Sequence, residues 1–264
     1  MANDLFYCGR LGVNLDPTER FSNRVEDYIK FRPSYPDVAI DTIIREAGLS
    51  AGSTVADIGC GTGISSRPFL ERGMRVFGVE PNDAMRAAAI EYFAEFSNFA
   101  AYNSSAEATG LKEGSVDAVI AAQAFHWFDA ERTREEFRRI LRPCGSVVLM
   151  WNERLLDATE FLRDYEELLL RYASDYTEIR HDKFGPDVLG RFFDAPFERF
   201  EFKNIQSLDL DGVIGRVRSS SYMPNADSPV YGELIDSLQA LFAKHAENGR
   251  IEIFYETRVY ISRL

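Results

Sequence analysis

The sequence predicts an α/β fold built around a mostly parallel sheet. Short apolar runs such as Thr54–Ile58 and Val116–Ala122 alternate with amphipathic segments of helical length. Strands that are separated by helices of about 10–15 residues are typical of βαβ units, in which the strands lie parallel. The first apolar run leads into Gly59, Gly61 and Gly63, and glycines at alternate positions predict a tight turn between a strand and a helix.

The expected elements of the first half follow in order along the chain. Residues 1–35 are expected to be irregular, and the prolines at 33 and 36 introduce the first helix. Periodicity then predicts helices over 37–48, 64–72, 83–95 and 130–141. Apolar runs predict strands at Thr54–Ile58, Arg75–Val79, Phe99–Asn103, Val116–Ala122 and Ser146–Trp151.

The second half has a looser pattern. Helices are expected over 157–173 and 229–246, and strands at Phe197–Leu208 and Ile251–Ile261. The long stretches after Trp151 and Leu208 are expected to be helical insertions. Because the chain shows no repeat and no Gly/Ser linker, we expect one domain over residues 1–264.

Composition narrows the class of protein. A net charge of −12 repels phosphate groups, so nucleic acid and anionic membranes are poor partners. No apolar run approaches the ~20 residues of a membrane helix. Three widely spaced cysteines predict neither a disulfide framework nor a metal site, and a reducing, cytoplasmic location is expected.

The glycine turn predicts a site for a nucleotide-type cofactor, because glycines let a ligand lie against the main chain. A turn that binds a dinucleotide has the spacing Gly-x-Gly-x-x-Gly. If Gly59 is the first glycine of that pattern, the last one would be residue 64, which is Ile64 in this chain. Glu80 follows the second strand, where an acid accepts hydrogen bonds from ribose hydroxyls. Nicotinamide and adenosine cofactors share that contact, so Glu80 does not separate them.

Five segments in order resemble the motifs of class I S-adenosylmethionine-dependent methyltransferases. They are Asp57–Gly63, Val79–Met85, Ser105–Leu111, Val116–Asp129 and Leu141–Gly145. Three further segments resemble the small-molecule branch that includes trans-aconitate methyltransferase, namely Tyr28–Pro36, Ser221–Pro224 and Tyr255–Tyr260. The resemblance implies a Rossmann-like, doubly wound sheet of seven strands, with helices on both faces and the last strand antiparallel.

The resemblance also implies roles for individual residues. The glycine turn would lie under the methionine part of S-adenosylmethionine, Glu80 would hold the ribose, and Arg32 would close over the cofactor's carboxylate. The full set of implied cofactor residues is Arg32, Asp57, Gly59, Cys60, Gly61, Gly63, Glu80, Pro81, Met85, Ser105, Ala106 and Gln123. Residues 1–36 would form a lid segment, 37–152 the cofactor-binding core, and 153–264 the substrate roof and final strands.

The expected function is methyl transfer from S-adenosylmethionine to a small molecule, with a carboxylate as one candidate acceptor. His126 is the candidate general base, and its alternative role is to pack the loop after the fourth strand. Substrate carboxylate binding and a plain surface role are both open for Arg216, Arg218, Ser220 and Tyr222. A nicotinamide-dependent oxidoreductase and a non-catalytic cofactor-binding protein are the alternatives, and the protein is expected to be a monomer or a homodimer.

Overall fold

A seven-stranded sheet forms the centre of the protein. The computed structural model describes residues 24–173, 176 and 186–264. The strands are β1 (Thr54–Ile58), β2 (Arg75–Val79), β3 (Phe99–Tyr102), β4 (Val116–Ala122), β5 (Leu141–Arg154), β6 (Phe197–Leu208) and β7 (Ile251–Arg263). Their order is β3-β2-β1-β4-β5-β7-β6. Strand β7 runs antiparallel to β5 and β6, whereas the four remaining pairs are parallel. The predicted doubly wound sheet with an antiparallel last strand is confirmed.

Helices cover both faces of this sheet. The described helices are α1 (Val25–Phe31), α2 (Asp37–Glu46), α3 (Arg67–Glu71), α4 (Asp83–Tyr92), α5 (Ala130–Ile140), α6 (Glu160–Tyr172), α7 (Pro186–Phe193), α8 (Leu210–Arg218) and α9 (Tyr231–His245). Alternate strand residues pack into two cores. Val119 lies in the core that contains Phe137 of α5, and Ile120 lies in the core that contains Ile43 of α2. A third core joins α6, α8 and α9 to the start of β7.

Several expected bounds differ from the structure. The helix expected over 64–72 begins only at Arg67, because the positive-φ glycines keep the chain in turns through residue 66. Strand β5 is longer than Ser146–Trp151, since antiparallel pairing with β7 extends it to Arg154. The part of residues 1–35 that the structure describes is not irregular, as it contains α1. Residues 1–23 of the expected lid segment lie outside the described residues, and the three-part division of the chain stays a prediction.

Helix α1 is attached to the C-terminal half. The Arg24 guanidinium donates to the backbone carbonyls of Arg218, Ser220 and Met223, each at 2.7 Å. Gly215 of α8 lies so close to Phe31 that a Cβ there would be 2.1 Å from the ring. Residues that are far apart in sequence therefore form one surface above the carboxyl ends of β1 and β4. No helix in the described ranges is long and apolar enough to cross a bilayer.

Candidate functional site

The glycine turn after β1 lies where the strand order reverses, since β1 is flanked by β2 and β4. Gly61 and Gly63 adopt φ values of +55° and +92°. A Cβ at Gly63 would be 2.2 Å from the Phe93 ring, whereas a Cβ at Gly61 would meet nothing within 4 Å. The turn is therefore packed against the protein at Gly63, and at Gly61 it leaves space for a ligand against the main chain.

Glu80 is bound to this turn from the end of β2. One carboxylate oxygen accepts from the Gly61 amide at 2.9 Å, and the other accepts from the Asn82 amide at 2.9 Å. Burial raises the pKa of Glu80, and these two hydrogen bonds partly offset that rise. Two hydrogen bonds leave acceptor positions on both oxygens, which suit a pair of neighbouring hydroxyl donors.

A cavity of about 240 Å³, here called the Glu80 cavity, opens beside that carboxylate. Eight of the predicted cofactor residues line it: Gly59, Gly61, Glu80, Pro81, Met85, Ser105, Ala106 and Gln123. Trp127 and Phe128 complete its apolar wall. Apolar and thioether side chains of this kind suit the faces of a planar base.

A second cavity of about 160 Å³, here called the Arg216 cavity, adjoins the first. The two cavities share the wall residues Tyr28, Gly59, Gly61, Ala122 and Gln123. The predicted residues Arg32 and Cys60 line the second cavity only, together with Arg216, Tyr222 and Tyr255 from the C-terminal half. A molecule in one cavity would thus approach a molecule in the other across the glycine turn.

Three guanidinium groups and the Glu153 carboxylate line the Arg216 cavity, so its wall carries more positive than negative charge. Arg154 pairs with Glu166, and the other two guanidinium groups belong to Arg32 and Arg216. Arg32 donates to the carbonyl of Ser219 at 2.8 Å, and its guanidinium lies 4.9 Å from the centre of the Tyr28 ring. Burial and the nearby Arg216 guanidinium lower the pKa of Arg32. Within the described residues, neither Arg32 nor Arg216 forms an ion pair with a carboxylate. Buried cations without an anion are unfavourable, so the cavity suits a negatively charged ligand.

Three predicted site residues line neither cavity. Asp57 lies behind the turn, where its Oδ2 accepts from Ser65 and Ser66 at 2.7 and 2.6 Å. Burial raises the pKa of Asp57 to about 6. Gly63 packs on Phe93, as described above. His126 lies in a short 3-10 turn, with its ring 4.8 Å from that of Trp127.

The C-terminal residues proposed from the sequence have different surroundings. Tyr222 and Arg216 line the Arg216 cavity, and the Ser220 hydroxyl accepts from Arg216 at 3.0 Å. Arg218 is half exposed and pairs with Asp27 at 3.0 Å, away from both cavities. Of the two roles left open for Arg218, its position therefore favours the plain surface role.

Sequence reasoning missed the part of the Arg216 cavity wall that β5 and β7 provide. Asn152 and Arg154 follow the buried centre of β5, and Tyr255 faces them from β7. The rule that ligands gather at the carboxyl ends of parallel strands was a usable signal for Asn152 and Arg154. Tyr255 belongs to the Tyr255–Tyr260 segment that carries the family resemblance, but no ligand role could be assigned to it from the sequence because its partners are distant along the chain.

The residues around the Glu80 cavity fit S-adenosylmethionine. A buried carboxylate offers acceptors to ribose hydroxyls, apolar walls suit adenine, and the open main chain at Gly61 suits the methionine part. The Arg32 cation, which lines the adjoining Arg216 cavity, suits the carboxylate of that part.

Comparisons with known proteins agree with this geometry. A methyltransferase domain family matches residues 56–149. An uncharacterized methyltransferase of Mycobacterium bovis is 31% identical over 242 residues, which cover 90% of each chain. A proposed S-adenosylmethionine-dependent methyltransferase of Saccharomyces cerevisiae is 32% identical over 183 residues, 60% of this chain and 62% of that protein.

A solved structure shows the same fold. A proposed type II methyltransferase of Anaeromyxobacter dehalogenans superimposes with a TM-score of 0.60 at 23% identity, over 88% of this chain and 98% of the other. Together, the relatives favour a methyltransferase over the nicotinamide-dependent and non-catalytic alternatives. The chain belongs to the class I S-adenosylmethionine-dependent methyltransferases, with S-adenosylmethionine as its cofactor.

Proposed function

We propose that this methyltransferase acts on a small molecule bound in the Arg216 cavity, and that a carboxylate oxygen of that molecule receives the methyl group. The observation that carries the proposal is a positive cavity directly beside the cofactor site. Of the three guanidinium groups that line it, Arg154 pairs with Glu166, whereas Arg32 and Arg216 pair with no carboxylate among the described residues. The resemblance of three segments to trans-aconitate methyltransferase is consistent with this acceptor.

S-adenosylmethionine supplies a methyl group that is already activated as a sulfonium. Bound by Gly61, Glu80 and Arg32, it would supply this methyl group to a carboxylate oxygen of the acceptor, and the electron pair of the carbon–sulfur bond would remain on sulfur. An ionised carboxylate has no proton to lose, so the protein needs no general base for this step. Its contribution is to bind and align the two reactants and to exclude water.

Residues of both cavities have parts in that role. Tyr35 lines the Arg216 cavity, where burial raises the pKa of its phenol well above the usual value and keeps it a neutral hydroxyl. His126 lines neither cavity, which favours its packing role over the role of base. Glu80 is assigned to the ribose and Arg32 to the cofactor's carboxylate, while Pro81 and Met85 flank the adenine.

The size of the site favours a small acceptor. The Arg216 cavity holds about 160 Å³ and is covered by side chains of α1, α8 and β7. The net charge of −12 disfavours nucleic acid as the acceptor. The cytoplasmic location and the monomeric or homodimeric state expected from the sequence stay predictions.

An acceptor screen tests the carboxylate assignment. The enzyme is incubated with methyl-labelled S-adenosylmethionine and matched sets of small carboxylic acids, phenols and amines. We expect label in the carboxylic acids alone, and we expect mild alkali to release it as methanol because the product is a methyl ester. Alkali-stable label on a phenol or an amine would overturn the assignment, as would an absence of label in every carboxylic acid when S-adenosylhomocysteine binds.

A further inference from the structure

We infer that Arg216 anchors an anionic group of the acceptor, whereas Arg32 is left to the carboxylate of the cofactor. This division rests on the proposed function, and it names the residue that selects the acceptor. It depends on three features of the structure: the free hydrogen-bonding capacity of Arg216, the groups that hold it in place, and its position relative to the two cavities.

Arg216 is deeply buried, with 8% of its surface exposed, and it lines the Arg216 cavity. Its Nε donates to the Tyr255 hydroxyl at 3.3 Å, and its Nη1 donates to the Ser220 hydroxyl at 3.0 Å. Among the described residues its Nη2 has no partner. Both of its partners are neutral, so the positive charge of Arg216 is left uncompensated. A ligand carboxylate would supply the missing charge and accept from the free nitrogen.

A hydrogen-bonded chain fixes the orientation of Arg216. The Gln206 Nε2 donates to the carbonyl of Phe31 at 2.8 Å, so the Gln206 Oε1 must face the other way. That oxygen accepts from the Tyr255 hydroxyl at 3.2 Å. Because the Tyr255 hydroxyl donates its proton to Gln206, the Tyr255 oxygen has a lone pair that accepts from Arg216. Tyr255 is therefore a positioning residue, and it links Arg216 to the end of α1.

The position of each arginine separates their roles. Arg32 lies against the ring of Tyr28, and Tyr28 lines both cavities. Arg216 differs, since its partner Tyr255 lines the Arg216 cavity only and its partner Ser220 lines neither cavity. Both arginines line the Arg216 cavity, but Arg32 lies next to the shared wall residue Tyr28, whereas the hydrogen-bond partners of Arg216 do not line the Glu80 cavity. We therefore assign Arg32 to the boundary with the cofactor and Arg216 to the acceptor's side.

Binding of small anions tests this assignment without any turnover. The probes are benzoate and succinate, with benzamide and succinamide as neutral controls of matched shape, all titrated by calorimetry in saturating S-adenosylhomocysteine. We expect the wild type to bind at least one anion about tenfold more tightly than its amide. Arg216→Gln should remove this preference, and Arg216→Lys should keep part of it because the charge remains.

Two further variants separate an anchor from a structural residue. Tyr255→Phe should weaken anion binding about threefold to tenfold, because the guanidinium loses its fixed orientation, with the S-adenosylhomocysteine affinity unchanged. Arg32→Gln should weaken S-adenosylhomocysteine instead. The assignment fails if the wild type does not prefer either anion, if the preference survives in Arg216→Gln, or if Arg216→Gln and Arg32→Gln weaken S-adenosylhomocysteine equally. These titrations measure no methyl transfer. If the protein prefers the anions but methylates no carboxylic acid, the proposed function is wrong and the assignment of Arg216 stands.

Discussion

The walls of the two cavities are built in different ways. The Glu80 cavity is formed mostly by consecutive strand-to-helix turns between Gly59 and Phe128. The Arg216 cavity is formed by α1, the end of β5, α8 and β7. The first and the last of these elements are more than two hundred residues apart in the sequence. The first wall depends on backbone geometry that a local motif encodes. The second depends on side chains that meet only after the whole chain has folded.

The largest effect is expected inside the glycine turn. Gly63→Ala should cost about 4 kcal/mol of unfolding free energy, because its methyl group would overlap Phe93 and the left-handed φ adds strain. Gly61→Ala is the matched control, with a left-handed φ of +55° and open space around the new methyl group. It should cost about 1 kcal/mol and weaken cofactor binding. Urea denaturation measures the loss of stability, and calorimetry measures cofactor binding. Equal losses of stability in the two variants would contradict the conclusion that the turn is packed at Gly63 and open at Gly61.

The second-largest effect is the pH dependence of stability that comes from Asp57, which lies behind the glycine turn. Below about pH 4 Asp57 is protonated in both folded and unfolded chains, and above about pH 6 it is ionised in both. Between these values the folded protein holds a proton that the unfolded chain releases. Stability should therefore fall as the pH rises through this window, by about 3 kcal/mol from this residue.

Asp57→Asn should lose that contribution, since the amide does not titrate. The difference in unfolding free energy between variant and wild type should shift by about 3 kcal/mol in favour of the variant between pH 4 and pH 7. Urea denaturation at several pH values measures it. A difference that stays constant with pH would show that Asp57 is not held protonated by burial.

The smallest effect tests the connection between α1 and the C-terminal half. Gln206→Met removes the donor to the Phe31 carbonyl and the acceptor for Tyr255, and should cost about 1 kcal/mol of unfolding free energy. Lys203→Met on the same strand is the control, because Lys203 is exposed. Equal stability of the two variants would mean that the Gln206 contacts contribute nothing.

The two walls also differ in how far the sequence predicts them. Spacing alone placed a strand, a tight turn and Glu80 next to one another, because adjacent parallel strands bring their carboxyl ends to one edge of the sheet. Arg216 was left open between a ligand role and a surface role, since nothing local shows that Ser220, Tyr255 and Gln206 surround it. His126 stood out through its position after β4, but the following 3-10 turn brings Trp127 and Phe128 to the cavity in its place.

A side-by-side titration of S-adenosylhomocysteine into Glu80→Ala and Arg216→Gln tests this division of the site most directly. Loss of the acceptor for the ribose hydroxyls should weaken binding to Glu80→Ala by about 2 kcal/mol. Binding to Arg216→Gln should stay within about twofold of the wild type, because its contacts belong to the other cavity. Equal losses in both variants, or a larger loss in Arg216→Gln, would contradict the assignment of separate cofactor and acceptor walls.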